Sequence, residues 1–99
     1  MVIVVGVFEV EAEDRERFLA GKLDQVAASR SEPGCIDYTF SADAADPGGV
    51  RLLERWESRP DLEAHVAGLR ASPSPDGGVP SRMVEVAIYE ATPAPPLGG

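Results

Sequence analysis

The middle of the chain alternates between apolar and polar residues at the two-residue period of a β-strand. From residue 50 to residue 57, Leu52, Glu54 and Trp56 fall on one face of this strand, because successive side chains point to opposite sides. A carboxylate that shares a face with two large apolar side chains requires a partner if that face is buried. The pattern therefore predicts a half-buried strand with an acidic residue on its inner side.

A helix is predicted directly after this strand. Ser58 is a favoured N-cap residue, and Pro60 falls in the first turn, where a missing backbone N–H does no harm. An apolar stripe follows at helical spacing, formed by Leu62, Val66 and Leu69. His65 lies within that stripe, so the helix is expected to turn it towards Glu54 and Trp56 on the sheet.

The two-residue period predicts three more strands, at residues 2–10, 35–41 and 82–90. The helical period predicts a first helix at residues 11–30. Stretches rich in Pro and Gly separate these elements, and the stretch at residues 71–80 is expected to be a mobile surface loop. The order β-α-β-β-α-β is that of the ferredoxin-like α+β fold, an antiparallel sheet with two helices on one face. We expect one domain over residues 1–91 and an extended or disordered tail over residues 92–99.

Spacing also assigns the inner faces of the first helix and the second strand. The helical stripe of residues 11–30 includes Phe18 and Leu23. On the second strand, Ile36, Tyr38 and Phe40 share one face. Tyr38 is thereby expected to direct its hydroxyl group towards the space between sheet and helices, or to cap the edge of the core.

The first strand predicts a homodimer. Residues 2–10 are apolar in both phases, and a strand of that kind is covered on both faces. Two helices cover one face of a small sheet, and a second subunit is the natural cover for the other. A chain of 99 residues also has a small core, which a partner subunit would enlarge.

Composition limits the kinds of binding partner and the cellular compartment that we expect for this protein. The formal charge is −8 and the pI is about 4.5, which argues against nucleic acid or an anionic membrane surface as a partner. Cys35 is the only cysteine, so an internal disulfide is excluded and a reducing cytoplasm is expected. The apolar residues 1–8 lack a basic segment before them and are followed by Glu9, which fits a strand rather than a signal peptide or a membrane span.

Two sequence patterns resemble the antibiotic biosynthesis monooxygenase family. Glu54-Arg55-Trp56 followed by Ala64-His65 is similar to its E-x-W…A-H signature, and Pro33-Gly34-Cys35-Ile36-Asp37-Tyr38 is similar to its P-G-C-x-x-Y pattern. The resemblance implies a dimeric α+β barrel with a cavity between sheet and helices. It also implies a monooxygenase that needs no cofactor and acts with dioxygen on an aromatic or quinol-type small molecule.

Four residues are candidates for the chemistry that this resemblance implies. Imidazole exchanges protons near neutrality, so His65 is the predicted general base and Glu54 the group that fixes its tautomer. The alternative is a structural role, in which His65 is the buried partner of Glu54. Trp56 and Tyr38 are predicted to shape the substrate pocket, although a Trp between strand and helix is also a common core residue.

Three other functions keep the same fold. An isomerase of a small carbonyl compound would use the same His65 and Glu54, and a non-enzymatic dimeric ligand-binding module would use neither for catalysis. Haem degradation is disfavoured, because the haem-degrading relatives carry Trp at the position of His65 and place their haem-ligating His where this chain has Ser72-Pro73-Ser74-Pro75. We therefore expect neither haem nor a tightly bound metal.

Overall fold

The computed structural model describes residues 1–72 and 78–98. These residues form a sheet of four antiparallel strands with helices between them. The strands are β1 (Val2–Glu9), β2 (Cys35–Ala42), β3 (Gly49–Trp56) and β4 (Arg82–Glu90), and they lie in the order β2-β3-β1-β4. A short 3-10 turn (Ala12–Asp14) and the helices α1 (Arg15–Gly21) and α2 (Leu23–Arg30) follow β1, and α3 (Arg59–Ala71) follows β3. The predicted ferredoxin-like α+β fold is confirmed.

The predicted first helix is divided in two at Lys22. The Lys22 N–H donates to the carbonyl of Leu19, three residues earlier, at 3.1 Å, as in a tightened 3-10 turn. Gly21 directly precedes the break and weakens a helix at that point. The prediction that Leu23 faces the core is wrong: its side chain is 66% exposed, whereas Phe18 is buried.

The predicted faces of β3 are confirmed. Leu52, Glu54 and Trp56 are buried under the helices, and Arg51 and Leu53 are exposed on the opposite side. The strand lies between β1 and β2, so neighbours hold it on both edges. Glu54 thereby has a fixed position near the centre of the sheet.

The prediction for Ile36 is wrong because β2 contains a bulge. Cys35 pairs with Trp56 and Asp37 with Arg55, so one extra residue lies between the two pairs. Ile36 is 43% exposed, and Cys35 packs against the core instead. Beyond the bulge, the regular alternation returns and Tyr38 lies on the helix side.

The first turn of α3 is capped by Ser58 and packs against the turn that precedes β2. The predicted N-cap of α3 is confirmed, since the Ser58 hydroxyl accepts the Asp61 N–H at 3.3 Å and donates to the Asp61 carboxylate at 2.8 Å. Gly34 approaches Asp61 so closely that a Cβ at residue 34 would overlap it, and its φ is +80°. Only glycine adopts that backbone geometry readily, so the Pro-Gly turn places β2 beside α3.

Two clusters of buried side chains form the core between helices and sheet. The first contains Val2, Val4, Tyr38, Leu52, Trp56 and Leu62, and the second contains Val10, Phe18, Val50 and Val79. Val79 belongs to the segment predicted as a surface loop, and its burial shows that the end of this segment returns to the core. Residues 73–77 of that segment lie outside the described residues.

None of the described residues covers the sheet face away from the helices. Val5 and Leu53 are paired across β1 and β3 and are each 37% exposed. The predicted tail has no regular secondary structure over residues 91–98. None of the described helices has the length and hydropathy needed to cross a bilayer.

Candidate functional site

A cavity of about 410 Å³ lies between the helices and the sheet. Its wall is mostly apolar, with side chains from all four strands and from α1, α2 and α3. The polar lining residues among those described are Lys22, Gln25, Tyr38, Glu54 and Ser81. A mostly apolar cavity of this size with a few converging polar groups is typical of a small-molecule site.

Glu54 is the carboxylate in the described wall of this cavity. The residue is only 6% exposed, and one of its oxygens, Oε1, accepts the indole N–H of Trp56 at 2.9 Å. Burial is the main cause that raises the pKa of Glu54, and repulsion from Glu32 raises the pKa further. The hydrogen bond from Trp56 and the charge of His65 act in the opposite direction. The raised pKa brings the neutral acid closer to physiological pH, so Glu54 is suited to exchange a proton with a ligand in the cavity.

His65 points inward from α3, as predicted, and is 3% exposed. Its ring lies against the rings of Trp56 and Tyr38, with centroid distances of 4.8 and 5.2 Å. The Nε2 atom is 3.8 Å from Glu54 Oε1, which is an ion-pair distance and too long for a hydrogen bond. The prediction that Glu54 fixes the tautomer therefore does not match the observed contacts.

The partner of the other ring nitrogen is Glu32, which sequence reasoning missed. His65 Nδ1 lies 3.0 and 3.2 Å from the two Glu32 carboxylate oxygens. Glu32 stands in the turn between α2 and β2, 33 residues before His65 in the chain. No local pattern links residues so far apart, because only the packing of this turn against α3 brings them together.

The two predicted aromatic site residues occupy different positions. Tyr38 lines the cavity, and its hydroxyl oxygen accepts the side-chain N–H of Gln25 at 2.6 Å. Burial, and secondarily the charge of Glu54, raises the pKa of Tyr38 to about 12, so its hydroxyl keeps its proton at physiological pH. Trp56 is fully buried and, like His65, is not among the described lining residues; its role as a pocket-shaping residue stays a prediction.

Lys22, at the break between α1 and α2, and Gln25, on α2, are two polar groups in the wall that the apolar stripe did not indicate. Gln25 holds the Tyr38 hydroxyl, and Lys22 places its Nζ atom 5.4 and 5.7 Å from the ring centroids of Phe18 and Phe40. An ammonium group at this distance from aromatic rings is attracted by their faces. The spacing of Phe18, Lys22 and Gln25 is itself helical, and that spacing is the signal that could have found them.

Among the described residues, no group of three or more His, Cys, Asp and Glu side chains is arranged to hold a metal ion. The ring nitrogens of His65 face two carboxylates at 3.0 and 3.8 Å. The expectation that the chain binds neither haem nor metal stays a prediction.

The fold and the cavity define a small ferredoxin-like α+β protein with a small-molecule-sized site between sheet and helices. The sequence model of the antibiotic biosynthesis monooxygenase family matches residues 1–69, and the chain belongs to this family. The resemblance noted in the sequence is thereby confirmed.

Individual proteins are similar to this chain in fold or in sequence. A candidate antibiotic biosynthesis monooxygenase from Deinococcus radiodurans has a crystal structure that superposes with a TM-score of 0.75, at 23% identity and full coverage of both chains. A second solved antibiotic biosynthesis monooxygenase gives a TM-score of 0.71 at 26% identity, covering 94% of this chain and all of the other. An uncharacterized protein of Synechocystis is 34% identical over 64 residues, which are 65% of this chain and 44% of that relative. The chain thus matches less than half the length of this relative.

Proposed function

We propose that the protein is a cofactor-independent monooxygenase that oxidises an aromatic or quinol-type small molecule in the cavity between sheet and helices. The observation that carries this proposal is the position of Glu54, a buried carboxylate with a raised pKa in the wall of a mostly apolar cavity of about 410 Å³. Membership of the antibiotic biosynthesis monooxygenase family supports the reaction type.

The substrate supplies the electrons in this reaction. Removal of a proton from an activated CH₂ group, as in the keto tautomer of a phenol, leaves a carbanion, which forms a carbon–oxygen bond with dioxygen and gives a peroxide. When the proton returns to the peroxide, loss of water leaves a carbonyl group, so that one CH₂ group and O₂ become one C=O group and H₂O. The protein has to exclude water, orient the ring and handle one proton.

The cavity geometry favours Glu54 as the group that takes this proton, with His65 acting through it. Glu54 is in the wall of the cavity, whereas the His65 ring lies behind Glu54 and between two aromatic rings. The sequence-based prediction had the two roles the other way round. Tyr38 and Lys22 also line the cavity, and their hydroxyl and ammonium groups are suited to contact the oxygen atoms of a phenolate.

The active form in this proposal is a homodimer joined through the uncovered sheet face. Val5 and Leu53 form an apolar centre on that face, and Arg51, Arg55 and Asp37 stand around it. An apolar centre with a polar rim is typical of a protein interface. Apolar side chains of β1 would then be covered on both sides.

A ligand screen combined with oxygen uptake tests the proposed reaction. Quinols, flavonoids and polyketide-like aromatics are screened for a rise in melting temperature, and oxygen consumption is measured with each compound that binds. We expect Glu54→Gln to retain binding and to lower the rate of oxygen uptake by about 10²–10⁴. Glu57→Gln, which changes an exposed carboxylate three residues away, is the matched control and should leave the rate unchanged.

Two results would replace this proposal by one of the alternatives. Exchange of a ligand carbon-bound proton with deuterium, without oxygen uptake, would favour an isomerase. Binding with neither exchange nor oxygen uptake would favour a non-enzymatic ligand-binding module.

A further inference from the structure

Glu32 contacts the His65 imidazole from the side opposite Glu54. Its two carboxylate oxygens lie 3.0 and 3.2 Å from Nδ1, and its side chain is 35% exposed. Glu54 faces the other nitrogen and is 8% exposed at its side chain. The three side chains therefore form a row that leads from the cavity wall to the surface, with the imidazole in the middle.

The distances along this row decide which ring nitrogen carries the proton. A neutral imidazole has one N–H group, and an ionised carboxylate is only an acceptor. The contact at Nδ1 is within hydrogen-bond distance for both oxygens of Glu32, whereas the contact between Nε2 and Glu54 is 3.8 Å. In a neutral ring, these distances favour an N–H group on Nδ1, with the lone pair of Nε2 facing Glu54.

The rings on either side of the imidazole keep this orientation. Trp56 and Tyr38 lie at centroid distances of 4.8 and 5.2 Å, and the His65 side chain is 2% exposed. A rotation of the ring that exchanged its two nitrogens would have to displace these neighbours. The contact with Glu32 is thus made by a ring that has little freedom to turn.

We propose that Glu32 is a positioning residue: it holds the proton of neutral His65 on Nδ1, so that Nε2 is the atom that exchanges a proton with Glu54. This proposal rests on the acid–base role proposed above for Glu54. A proton that Glu54 takes from the ligand passes to Nε2 when side-chain motion shortens the 3.8 Å separation. The ring becomes an imidazolium between two carboxylates, Glu54 returns to the carboxylate, and the reverse transfer gives the proton back.

The state of the ring can be read directly by nitrogen NMR of the ligand-free protein. The chain has one histidine, so ¹⁵N-labelled protein gives a single pair of imidazole nitrogen signals. Spectra are recorded through a pH titration, and the tautomer is read on its alkaline limb, where the ring is neutral. We expect a protonated Nδ1 and a bare Nε2 in the wild-type chain.

Two variants of Glu32 should reverse this assignment. In Glu32→Gln the neutral amide can accept from Nδ1 or donate to it, and in Glu32→Ala Nδ1 has lost its acceptor. In both variants the Glu54 carboxylate is then the charged acceptor beside the ring, and an N–H on Nε2 faces it. We expect the proton on Nε2 in most molecules of either variant. Glu63→Gln removes the same charge from an exposed position on α3, two residues from His65, and should leave the proton on Nδ1.

A proton on Nε2 in the wild-type chain, or one that stays on Nδ1 in both Glu32 variants, would overturn the positioning role. Since these spectra need no substrate, they are independent of the oxygen-uptake experiment. If the tautomers are as expected but no oxygen uptake is found, the proposed reaction is contradicted. The role of Glu32 in fixing the tautomer would not be affected.

Discussion

Glu54 is a residue whose protonation is tied to the stability of the fold. Its pKa is raised in the folded protein, chiefly by burial, while in the unfolded chain it has the ordinary value of a carboxyl group. At a pH between these two pKa values, the folded state binds more protons than the unfolded state. The contribution of Glu54 to stability is therefore most favourable below the ordinary carboxyl pKa, and it declines as pH rises through the raised value.

Glu54→Gln should remove this pH dependence, because an amide does not ionise. We expect the free energy of unfolding of the variant, relative to the wild-type chain, to increase as pH rises from about 4 to about 8. Urea unfolding at several pH values measures it. Glu57→Gln is the control on an exposed carboxylate, and a pH-independent difference for Glu54→Gln would contradict the prediction.

The His65 ring contributes to stability through its contacts with Glu54, Trp56 and Tyr38. His65→Ala leaves the buried carboxylate of Glu54 without the nearby imidazole and opens a space between Trp56 and Tyr38. We expect the free energy of unfolding to fall by about 3–5 kcal/mol, the range for removing a buried ring and leaving a cavity beside a buried carboxylate. Urea denaturation measures this loss.

His65→Asn separates the structural role of His65 from its role in proton transfer. Its amide N–H takes the place of Nδ1–H beside Glu32, and no group replaces Nε2. This variant should lose less stability than His65→Ala and still turn over about 10²–10⁴ times more slowly than the wild-type chain. Normal melting and normal turnover in His65→Ala would remove His65 from the mechanism.

At the scale of elements, two glycines differ in what their surroundings permit. Gly34, in the turn before β2, has a φ of +80° and lies against Asp61, while Gly68 in α3 has open space around its Cα. An added methyl group strains the first position and improves helix propensity at the second. The same substitution should therefore have opposite effects.

Gly34→Ala should destabilise the protein by at least about 1–2 kcal/mol, the cost of a left-handed backbone, with the overlap on Asp61 added. Gly68→Ala should stabilise it by about 0.5–1 kcal/mol. Thermal and urea denaturation of the two variants measure these changes. A neutral Gly34→Ala would show that the turn between α2 and β2 rearranges without cost, and Glu32 would then not be held rigidly beside His65.

For the molecule as a whole, the uncovered sheet face is the surface through which we propose that two copies of the chain assemble. Leu53 lies at the centre of this face and is 37% exposed in the single chain. In the proposed dimer, Leu53→Lys buries a charge without a partner. We expect the wild-type chain to sediment as a dimer at low micromolar concentration and the variant to sediment as a monomer.

Leu23→Lys is the matched control, because Leu23 is 66% exposed on α2, on the helix side of the sheet. This variant should keep the sedimentation coefficient of the wild-type chain. A wild-type chain that sediments as a folded monomer at that concentration would contradict the proposed dimer.

Local patterns were sufficient to predict the order of the elements and most of their faces. The alternation along β3 and the N-cap of α3 depend on residues within a few positions of each other, and both appear in the structure as predicted. The errors have tertiary causes. The bulge at the start of β2 turned Ile36 outward, the break at Lys22 exposed Leu23, and Val79 returned to the core from a stretch that reads as a loop.

The candidate site was likewise predicted from the sequence only in part. Sequence by itself determined that His65, Glu54, Trp56 and Tyr38 belong to one region, because the periods of a strand and a helix direct their side chains towards a common space. Only the tertiary structure decided which of them reach the cavity and that Glu32 completes the row. Distances between side chains on separate elements depend on how those elements pack, and the spacing of residues along the chain does not contain that information.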